Sequence, residues 1–345
     1  MFKKVMLSFL TAFLVLLGYI FWETNRVVVV HDTLAFTDLP AGFDGFRILH
    51  ITDVHAKTFG ENQSRLLAKL KGENVDLIVL TGDYMDRHSE KDQVAPTLDL
   101  IKGLRALFPQ APVYFVTGNA DVHDQNDRLV SAMQQAGAIF LEGGHPRHPY
   151  ALKRGNDRIW IGTASYTEEE FKTFGIEKED FYIVLTHFPW EANIEEKNRE
   201  AEKRYEEAMA SGADPRQVKK IVYVDADLIF AGHTHGGQIR LPFIGALYAP
   251  EVEQKGVDIE LYEKESKTKS FIDKLRAEGF FPKYSKGIYR ENGRVLYISG
   301  GLGVGGDFPL LRFRFLNPPE VNLVELKRAR ELPEREGKSN RIADS

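Results

Sequence analysis

The chain has 345 residues, of which 43% are hydrophobic and 28% are charged. This balance is typical of a globular protein with a substantial core and excludes wholesale disorder. The net charge of −5 provides no basic excess with which to bind a nucleic-acid duplex. The absence of cysteine excludes disulfide scaffolds, thiolate-ligated metals and thiol nucleophiles, but it does not decide the compartment.

The N-terminus carries a long apolar run, which extends from Val5 to Trp22 and follows Lys3 and Lys4. As a helix this run would span about 27 Å, close to the roughly 30 Å of a bilayer core. No small-residue cleavage site follows it, so residues 1–26 are predicted to be an uncleaved membrane anchor, with a cleaved signal peptide as the alternative. The two lysines favour a cytoplasmic N-terminus and an external domain, but Arg26 lies just beyond the run, and the side of the membrane stays open.

Five short apolar segments share one design, because each is rich in β-forming residues and stops at a polar residue able to bind a metal ion. Continuous runs of this kind are typical of strands that are buried on both faces. The segments are Phe46–Thr52 before Asp53, Leu77–Gly82 before Asp83, Val113–Gly118 before Asn119, Tyr182–Thr186 before His187, and Leu228–Gly232 before His233-Thr234-His235. Apolar residues at helical spacing near Leu66, Leu98 and Leu129 predict helices between the first strands.

The polar residues that follow these segments are predicted to meet. In an α/β sheet, ligands bind beyond the carboxyl ends of the strands. A single aspartate or histidine after a strand is usually a turn residue or a partly buried residue. Seven nitrogen- or oxygen-bearing side chains at five strand ends are hard to explain in that way. The sequence therefore predicts a metal-binding cluster of Asp53, His55, Asp83, Asn119, His187, His233 and His235.

The same motifs resemble, in order and spacing, those of the calcineurin-like metallophosphoesterases. They are Asp53-Val54-His55, Gly82-Asp83-Tyr84-Met85-Asp86, Gly118-Asn119-Ala120-Asp121, His187 and Gly232-His233-Thr234-His235. Residues 232–242, 283–289 and 298–306 are similar to a bacterial subgroup with an N-terminal membrane segment, some of whose members are similar to UDP-2,3-diacylglucosamine hydrolases. The resemblance implies an α/β fold at residues 27–326, a four-layer α/β/β/α sandwich of two mixed sheets. The pattern of strands and helices alone does not separate this fold from a single doubly wound sheet.

The resemblance also implies a centre of two divalent metal ions. One ion would be held by Asp53, His55 and His235, the other by Asn119, His187 and His233, and Asp83 would bridge them. Two such ions about 3.5–4 Å apart would clamp phosphoryl oxygens and lower the pKa of a shared water. Ligation by nitrogen and oxygen suits Mn, Fe, Co, Ni or Zn and does not choose between them. Asp121 or Asp86 could orient a ligand, or each could be a solvated loop carboxylate.

The loop around Asn119 departs from the family pattern. Members usually have Gly-Asn-His-Asp where this chain has Gly118-Asn119-Ala120-Asp121, so the imidazole credited with protonating the leaving group is missing. General acid catalysis is typically worth about 10²–10⁴ in rate. Three interpretations stay open: a weakened enzyme, replacement by His123, or a substrate whose leaving group needs little protonation. The soluble UDP-diacylglucosamine hydrolases of the superfamily also lack this histidine, which favours a pyrophosphate substrate.

Later segments carry weaker signals. The run Gly300–Gly306 is not followed by a helix, so it is interpreted as a turn that returns the strand Arg294–Ser299 near the site, not as a dinucleotide loop. Residues 251–282 are predicted to form an inserted flap and residues 327–345 a disordered tail. The segment Phe308–Phe315 is either an ordinary final strand or an apolar rim that meets lipid. Arg240, Arg312 and Arg314 are the candidates for binding substrate.

Together these observations predict a membrane-anchored, metal-dependent hydrolase of a phosphoester or pyrophosphate bond. The expected catalytic residues are Asp83, Asn119, Asp121 and His123. The expected substrate is lipid- or nucleotide-linked, such as UDP-2,3-diacylglucosamine of lipid A synthesis. That substrate requires a cytoplasmic domain, against the weak preference of the two lysines. The alternatives are a phosphodiesterase without lipid preference and a catalytically weakened metal-binding protein, and the oligomeric state is not indicated.

Overall fold

The structure is a computed structural model that describes residues 1–86, 93–121, 126–142, 148–177, 179–189, 194–214, 217–249, 282, 284–291, 293–306 and 309–329. The helices are α1 (Phe2–Asn25), α2 (Ser64–Leu70), α3 (Val94–Leu107), α4 (Asn126–Gln135), α5 (Glu168–Thr173) and α6 (Ile194–Ala210). The strands are β1 (Val28–Phe36), β2 (Arg47–Ile51), β3 (Leu77–Thr81), β4 (Val113–Val116), β5 (Ala138–Phe140), β6 (Tyr150–Arg154), β7 (Asp157–Gly162), β8 (Ser165–Thr167), β9 (Tyr182–Leu185), β10 (Ile221–Tyr223), β11 (Leu228–Ala231), β12 (Ile239–Leu241), β13 (Gly245–Tyr248), β14 (Gly287–Glu291), β15 (Arg294–Ile298) and β16 (Glu320–Arg328).

Two mixed six-stranded sheets form the centre of the fold. The first has the order β1-β16-β2-β3-β4-β5, in which β2 to β5 are parallel and β16 is antiparallel to β2. The second has the order β14-β15-β11-β9-β7-β6, in which the four central strands are parallel and the two edge strands antiparallel. The carboxyl ends of the central strands therefore lie in a row in each sheet, and residues of the loops that follow them can meet there.

Alternate residues of the central strands face two different cores, as the pleat of a strand requires. In β3, Leu77 and Val79 pack between the sheets together with Phe230 of the second sheet. Ile78 and Leu80 instead join the core beneath α2, α3 and α4. A third core covers the outer face of the second sheet and includes the start of α6. The fold is thus the four-layer α/β/β/α sandwich, and burial on both faces explains the continuous apolar runs.

The structure contains all five predicted strands, each ending one or two residues earlier than expected. Of the two alternatives for Phe308–Phe315, the final strand is wrong for the described residues 309–315, since Pro309–Leu311 form a 3₁₀ turn. The final strand is β16, which pairs with β1 and β2 and runs to Arg328, two residues past the expected end of the domain. The predicted flap, apart from Pro282, and the tail from residue 330 onward lie outside the described residues.

Helix α1 is long and apolar enough to cross a membrane by its length and composition, a test that a signal sequence also passes. Its side chains are exposed as far as Gly18, whereas its last two turns contact the rest of the chain. The Tyr19 ring lies 5.5 Å from the Phe315 ring, and Thr24 Oγ1 accepts a hydrogen bond from the Arg314 backbone N–H at 3.0 Å. The end of α1 is therefore part of the packed structure of the domain.

Candidate metal centre

The carboxyl ends of the central strands of both sheets meet and bring the predicted ligands together. In each of two groups of three, one ligand atom per residue lies within 4.8 Å of the others. The groups are Asp53, His55 and His235, and Asp83, His187 and His233. Asn119 joins the second group, because its Oδ1 lies 3.0 Å from His233 Nδ1. All seven side chains thus lie at one site, and Asn119 is the one among them that is only half-buried.

Asp83 lies between the two groups. Its Oδ2 is 3.5 Å from His55 Nε2 in the first group and 3.3 Å from His187 Nε2 in the second. Its other oxygen accepts a hydrogen bond from the Ala120 backbone N–H at 2.7 Å, which holds the carboxylate in this orientation. One carboxylate oxygen therefore faces both groups, an arrangement that suits a ligand shared between two ions.

The donor atoms fit divalent cations. His55 Nε2 and His235 Nε2 lie 3.2 Å apart, and so do His187 Nε2 and His233 Nδ1. His187 Nδ1 lies 2.7 Å from the Thr81 carbonyl oxygen, which selects Nε2 as the ligand nitrogen of the neutral ring. Imidazole nitrogens and carboxylate oxygens that converge in a buried site are the ligands that divalent transition metals prefer.

Burial and mutual charge control the protonation of these groups. Burial raises the pKa of Asp53 to about 6 and holds the pKa of the His235 imidazole well below its usual value. Burial lowers the pKa of His187, but the neighbouring carboxylate of Asp83 has the larger opposite effect, and the pKa of His187 is raised to about 10. A cation that binds here must therefore displace the proton that His187 carries beside Asp83.

The backbone of the ligand loops is strained. Left-handed φ angles, which L-residues rarely adopt, occur at Asp53 (51°), His55 (46°), Asp83 (54°), His233 (71°) and His235 (50°). Each such residue costs on the order of 1–3 kcal/mol and persists only where its surroundings impose the conformation. Strain concentrated on the candidate ligands is typical of a functional site.

Glycines allow the ligand loops to approach one another. A Cβ atom on Gly118 would lie 2.2 Å from Asp83 Oδ1, and one on Gly232 would lie 2.6 Å from Asp53 Oδ2. A Cβ atom on Gly303 would lie 2.8 Å from both the Asp53 carbonyl oxygen and His55 Cβ. The run Gly300–Gly306 therefore packs against the Asp53–His55 loop, which confirms its interpretation as a turn near the site.

Asp121 fastens the Asp83 loop to the Asn119 loop. Its two carboxylate oxygens accept hydrogen bonds from the backbone N–H groups of Asp83, Tyr84 and Gly118 at 2.8 Å and of Met85 at 3.1 Å. The side chain is fully buried and positions the ligand loops, and a catalytic role for Asp121 stays a prediction. Its burial and the nearby Asp83 carboxylate raise the pKa of Asp121 to about 7.

The three predicted substrate-binding arginines differ in their surroundings. The surroundings of Arg314 do not support its prediction as a substrate-binding residue: it is fully buried, and its guanidinium donates to the carbonyl oxygens of Gly300 and Gly303 in the glycine-rich turn. Arg240 donates to the Gly236 carbonyl oxygen at 2.7 Å. Arg312 pairs with Asp86 at 2.6 Å, three residues after Asp83. Substrate binding by Arg240 and Arg312 stays a prediction.

His123, the predicted replacement for the missing histidine, lies outside the described residues. Phe188, which the sequence did not single out, places its ring 5.1 Å from the His187 ring and 5.0 Å from the His233 ring. The sequence feature that could have identified Phe188 is its position directly after His187 at the end of a strand.

A two-sheet α/β/β/α sandwich with two facing histidine–carboxylate groups at its strand ends defines a class of metal-dependent phosphoester hydrolases. The family model described as calcineurin-like phosphoesterase matches residues 46–237, more than half of the chain, and the chain belongs to this family. Membership implies a phosphoester hydrolase whose activity depends on metal ions.

Similar proteins carry names that agree with this family. The chain is 23% identical over 315 residues to the uncharacterized metallophosphoesterase YkuE of Bacillus subtilis (strain 168), with 88% of this chain and 87% of the relative covered. It is 27% identical over 201 residues to YkoQ of the same organism, with 56% and 63% covered. A transmembrane protein with metallophosphoesterase domain from Danio rerio is 22% identical over 227 residues, with 61% and 45% covered.

Proposed function

We propose that this chain is a membrane-anchored hydrolase of a phosphoester or pyrophosphate bond that uses two divalent metal ions. The observation that carries the proposal is the placement of Asp83 Oδ2 between two groups of converging imidazoles, 3.5 Å from His55 and 3.3 Å from His187. Asp53, His55 and His235 would hold one ion, and Asn119, His187 and His233 the other, with Asp83 shared between them. Such ions supply Lewis acidity at the phosphoryl oxygens and lower the pKa of a water.

The ligands carry little negative charge, so an anionic substrate can still bind at the site. Four of the seven ligands are imidazoles and one is an amide, so the protein contributes only the two negative charges of Asp53 and Asp83. Two divalent ions would leave the site positively charged, and a phosphate would be attracted to it. Arg312, beside the Asp83 loop, is the further cation that could contact the phosphate.

The residue at position 120 bears on the kind of bond that is broken. Ala120 is buried with 1% exposure, and it has no group that could protonate a leaving oxygen. General acid catalysis is worth about 10²–10⁴ in rate, so the absence of a general acid at this position favours substrates with a weakly basic leaving group. A phosphate that leaves a pyrophosphate is far less basic than an alkoxide that leaves an alkyl ester. We therefore favour pyrophosphate cleavage over simple alkyl diester cleavage.

The position of α1 supports a lipid- or nucleotide-lipid-linked substrate. Its last two turns contact the segment of Arg314, which in turn hydrogen-bonds the glycine-rich turn at the metal centre. An anchor with these contacts would keep the site at the bilayer, where a lipid-linked phosphate is concentrated. The name of the Danio rerio relative, which includes the word transmembrane, agrees with anchoring. UDP-2,3-diacylglucosamine is the test substrate that combines a pyrophosphate with acyl chains.

Turnover by the purified full chain tests the proposal. UDP-2,3-diacylglucosamine and an alkyl phosphodiester are compared with and without Mn²⁺, with Asp83→Ala as the blank and Asp127→Ala, an exposed carboxylate on α4, as the matched control. We expect Mn²⁺-dependent turnover that favours the pyrophosphate and is lost only in Asp83→Ala. Equal turnover of both substrates would indicate a phosphodiesterase without lipid preference. Metal binding without turnover of either would indicate a catalytically weakened protein.

A further inference from the structure

Four exposed apolar side chains lie on two bonded segments, one of which packs against the end of α1. We use the term apolar collar for Phe243, Ile244, Leu310 and Leu316, which are 109%, 61%, 90% and 42% exposed. Other large apolar residues outside α1 that the described ranges leave exposed, Tyr150, Ile221 and Ile288, reach only 36–40%. A cluster of this kind on a protein surface marks an interaction site.

The collar comes from two segments that are bonded to each other and to α1. Phe243 and Ile244 form the tip of the β12–β13 hairpin, and Leu310 and Leu316 lie on residues 309–316. The Arg240 backbone N–H donates to the Phe315 carbonyl oxygen at 3.0 Å, and the Phe315 ring contacts Tyr19 of α1. Leu316, the neighbour of Phe315, is therefore held beside α1 near Tyr19, and the β12–β13 hairpin is bonded to the same segment.

The length of α1 places that level at the bilayer surface. The exposed stretch from Phe2 to Gly18, which includes Lys3 and Lys4, is about 25 Å long at 1.5 Å per residue, and this is shorter than the roughly 30 Å hydrocarbon core. A hydrocarbon core of full thickness around this stretch would reach Tyr19 and the segment packed against it. A domain seated at this height cannot keep the neighbouring apolar side chains fully in water.

The hairpin tip presents a large apolar ring on a strained backbone. Phe243 has a φ of 65°, in the left-handed region that suits glycine, and it exposes its whole ring. Leu316 has a φ of 50° and is likewise exposed. The strained backbone shows that the surrounding structure fixes these two positions, and their apolar side chains would be stabilised by leaving water for a nonpolar phase.

We infer that the apolar collar inserts into the interfacial region of the bilayer beside α1. This inference rests on the proposed anchoring, but not on the proposed chemistry. The segment that carries the collar also supports the metal centre, because the Asn317 side-chain amide donates to the His235 carbonyl oxygen at 2.8 Å. Insertion of the collar would therefore hold the metal centre close to the plane of the lipid headgroups, where the phosphate of a lipid lies.

The absence of cysteine from the chain makes a direct test possible. Full chains with Phe243→Cys, Leu310→Cys or the control Ile221→Cys carry one environment-sensitive fluorophore each, in vesicles of phosphatidylethanolamine and phosphatidylglycerol. At a depth of about 5–10 Å, labels at 243 and 310 should be blue-shifted, quenched several-fold more strongly by shallow nitroxide lipids than the label at 221, and protected from iodide.

The outcomes separate the collar from the other proposals. Vesicle flotation of the same samples reports anchoring, and Asp83→Ala carrying the same labels shows that the result does not depend on the chemistry. Labels at 243 and 310 that behave like the label at 221 in floating samples would overturn the collar and leave the anchor intact. Failure of the labelled chains to float would overturn both.

Discussion

Single side chains hold the metal centre through hydrogen bonds to loop backbone. Asp121 receives four N–H groups, which join the loop after β3 to the loop after β4. His187 is oriented by the Thr81 carbonyl oxygen, and Asp83 by the Ala120 N–H. At this scale, the candidate ligands depend on buried groups that do not contact an ion themselves.

Replacing Asp121 with alanine should destabilise the fold. The substitution leaves four buried N–H groups without their acceptor, and an unsatisfied buried donor costs about 1–3 kcal/mol. We expect a loss of about 3 kcal/mol or more in the free energy of unfolding, measured by urea denaturation of the metal-free protein. Asp121→Asn, which keeps one acceptor oxygen, should lose less. A loss below about 1 kcal/mol for Asp121→Ala would contradict this role.

Metal affinity should increase with pH. In the metal-free protein the pKa of His187 is raised to about 10, so the ring is protonated at neutral pH and must lose that proton when a cation binds. We expect the association constant for Mn²⁺ to rise about tenfold per pH unit between pH 6 and 8 for each proton released. Below pH 6 the slope should steepen, because the pKa of Asp53 is about 6.

Isothermal titration in buffers of different ionisation enthalpy measures both the affinity and the number of protons released. His31→Ala, which removes an exposed histidine of β1, serves as the control and should keep the same slope. An affinity that does not change between pH 6 and 8 would show that His187 is not protonated in the metal-free site.

At the scale of elements, the ligands stand on loops that follow short buried strands and are packed against a glycine-rich turn. The strands β2, β3 and β4 place Asp53, Asp83 and Asn119 in one row because they are parallel neighbours. The turn after β15 then fills the space beside Asp53 and His55 with backbone alone. Close approach of two backbones, more than any side-chain contact, shapes this part of the site.

A methyl group in that turn should disturb the first group of ligands. In Gly303→Ala the added Cβ would lie 2.8 Å from the Asp53 carbonyl oxygen and 2.9 Å from that of Val54, so the loop must shift. We expect at least about a tenfold loss of affinity for one Mn²⁺ ion, since misplaced outer groups typically cost 10–100-fold. Gly18→Ala, whose Cβ would meet nothing within 4 Å, is the control. Unchanged titrations of both variants would refute the importance of this close approach.

At the scale of the whole molecule, the metal centre joins the two sheets. Asp53, Asp83 and Asn119 follow strands of the first sheet, whereas His187 and His233 follow strands of the second. Contacts already cross this boundary, because the His233 backbone N–H donates to the Asp53 carboxylate at 3.1 Å. An ion bound by ligands from both sheets would therefore link the two halves of the sandwich.

Removal of metal should lower the stability of the entire fold. Binding to the native state alone stabilises it by about 2.7 kcal/mol when the free ion is at one hundred times its Kd. We expect Mn²⁺ to raise the Tm of the full chain by several degrees and EDTA to reverse the increase, measured by differential scanning calorimetry. Asp83→Ala should show little increase. An equal increase in Asp83→Ala would mean that the ions stabilise the protein from another site.

Local properties of the chain were sufficient to predict the strands and the convergence of Asp53, Asp83 and Asn119, which follow strands of one sheet. Apolar runs that stop at Asp53, Asp83 and Asn119 are visible without any long-range information, because a strand buried on both faces needs a continuous apolar sequence. The same holds for α1, whose length and hydropathy are properties of one segment. Parallel strands then require their carboxyl ends to lie in one row.

Long-range packing decided the rest. Strand β16 pairs with β1 and β2, although these strands lie almost 300 positions away in the sequence. No spacing within the sequence encodes this pairing or the division of the strands into two sheets. The sequence suggests Arg314 as a substrate-binding residue, but it is buried because the carbonyl oxygens of the glycine-rich turn satisfy its guanidinium. Sequence periodicity reports which face of an element is apolar, whereas only the tertiary structure determines what covers that face.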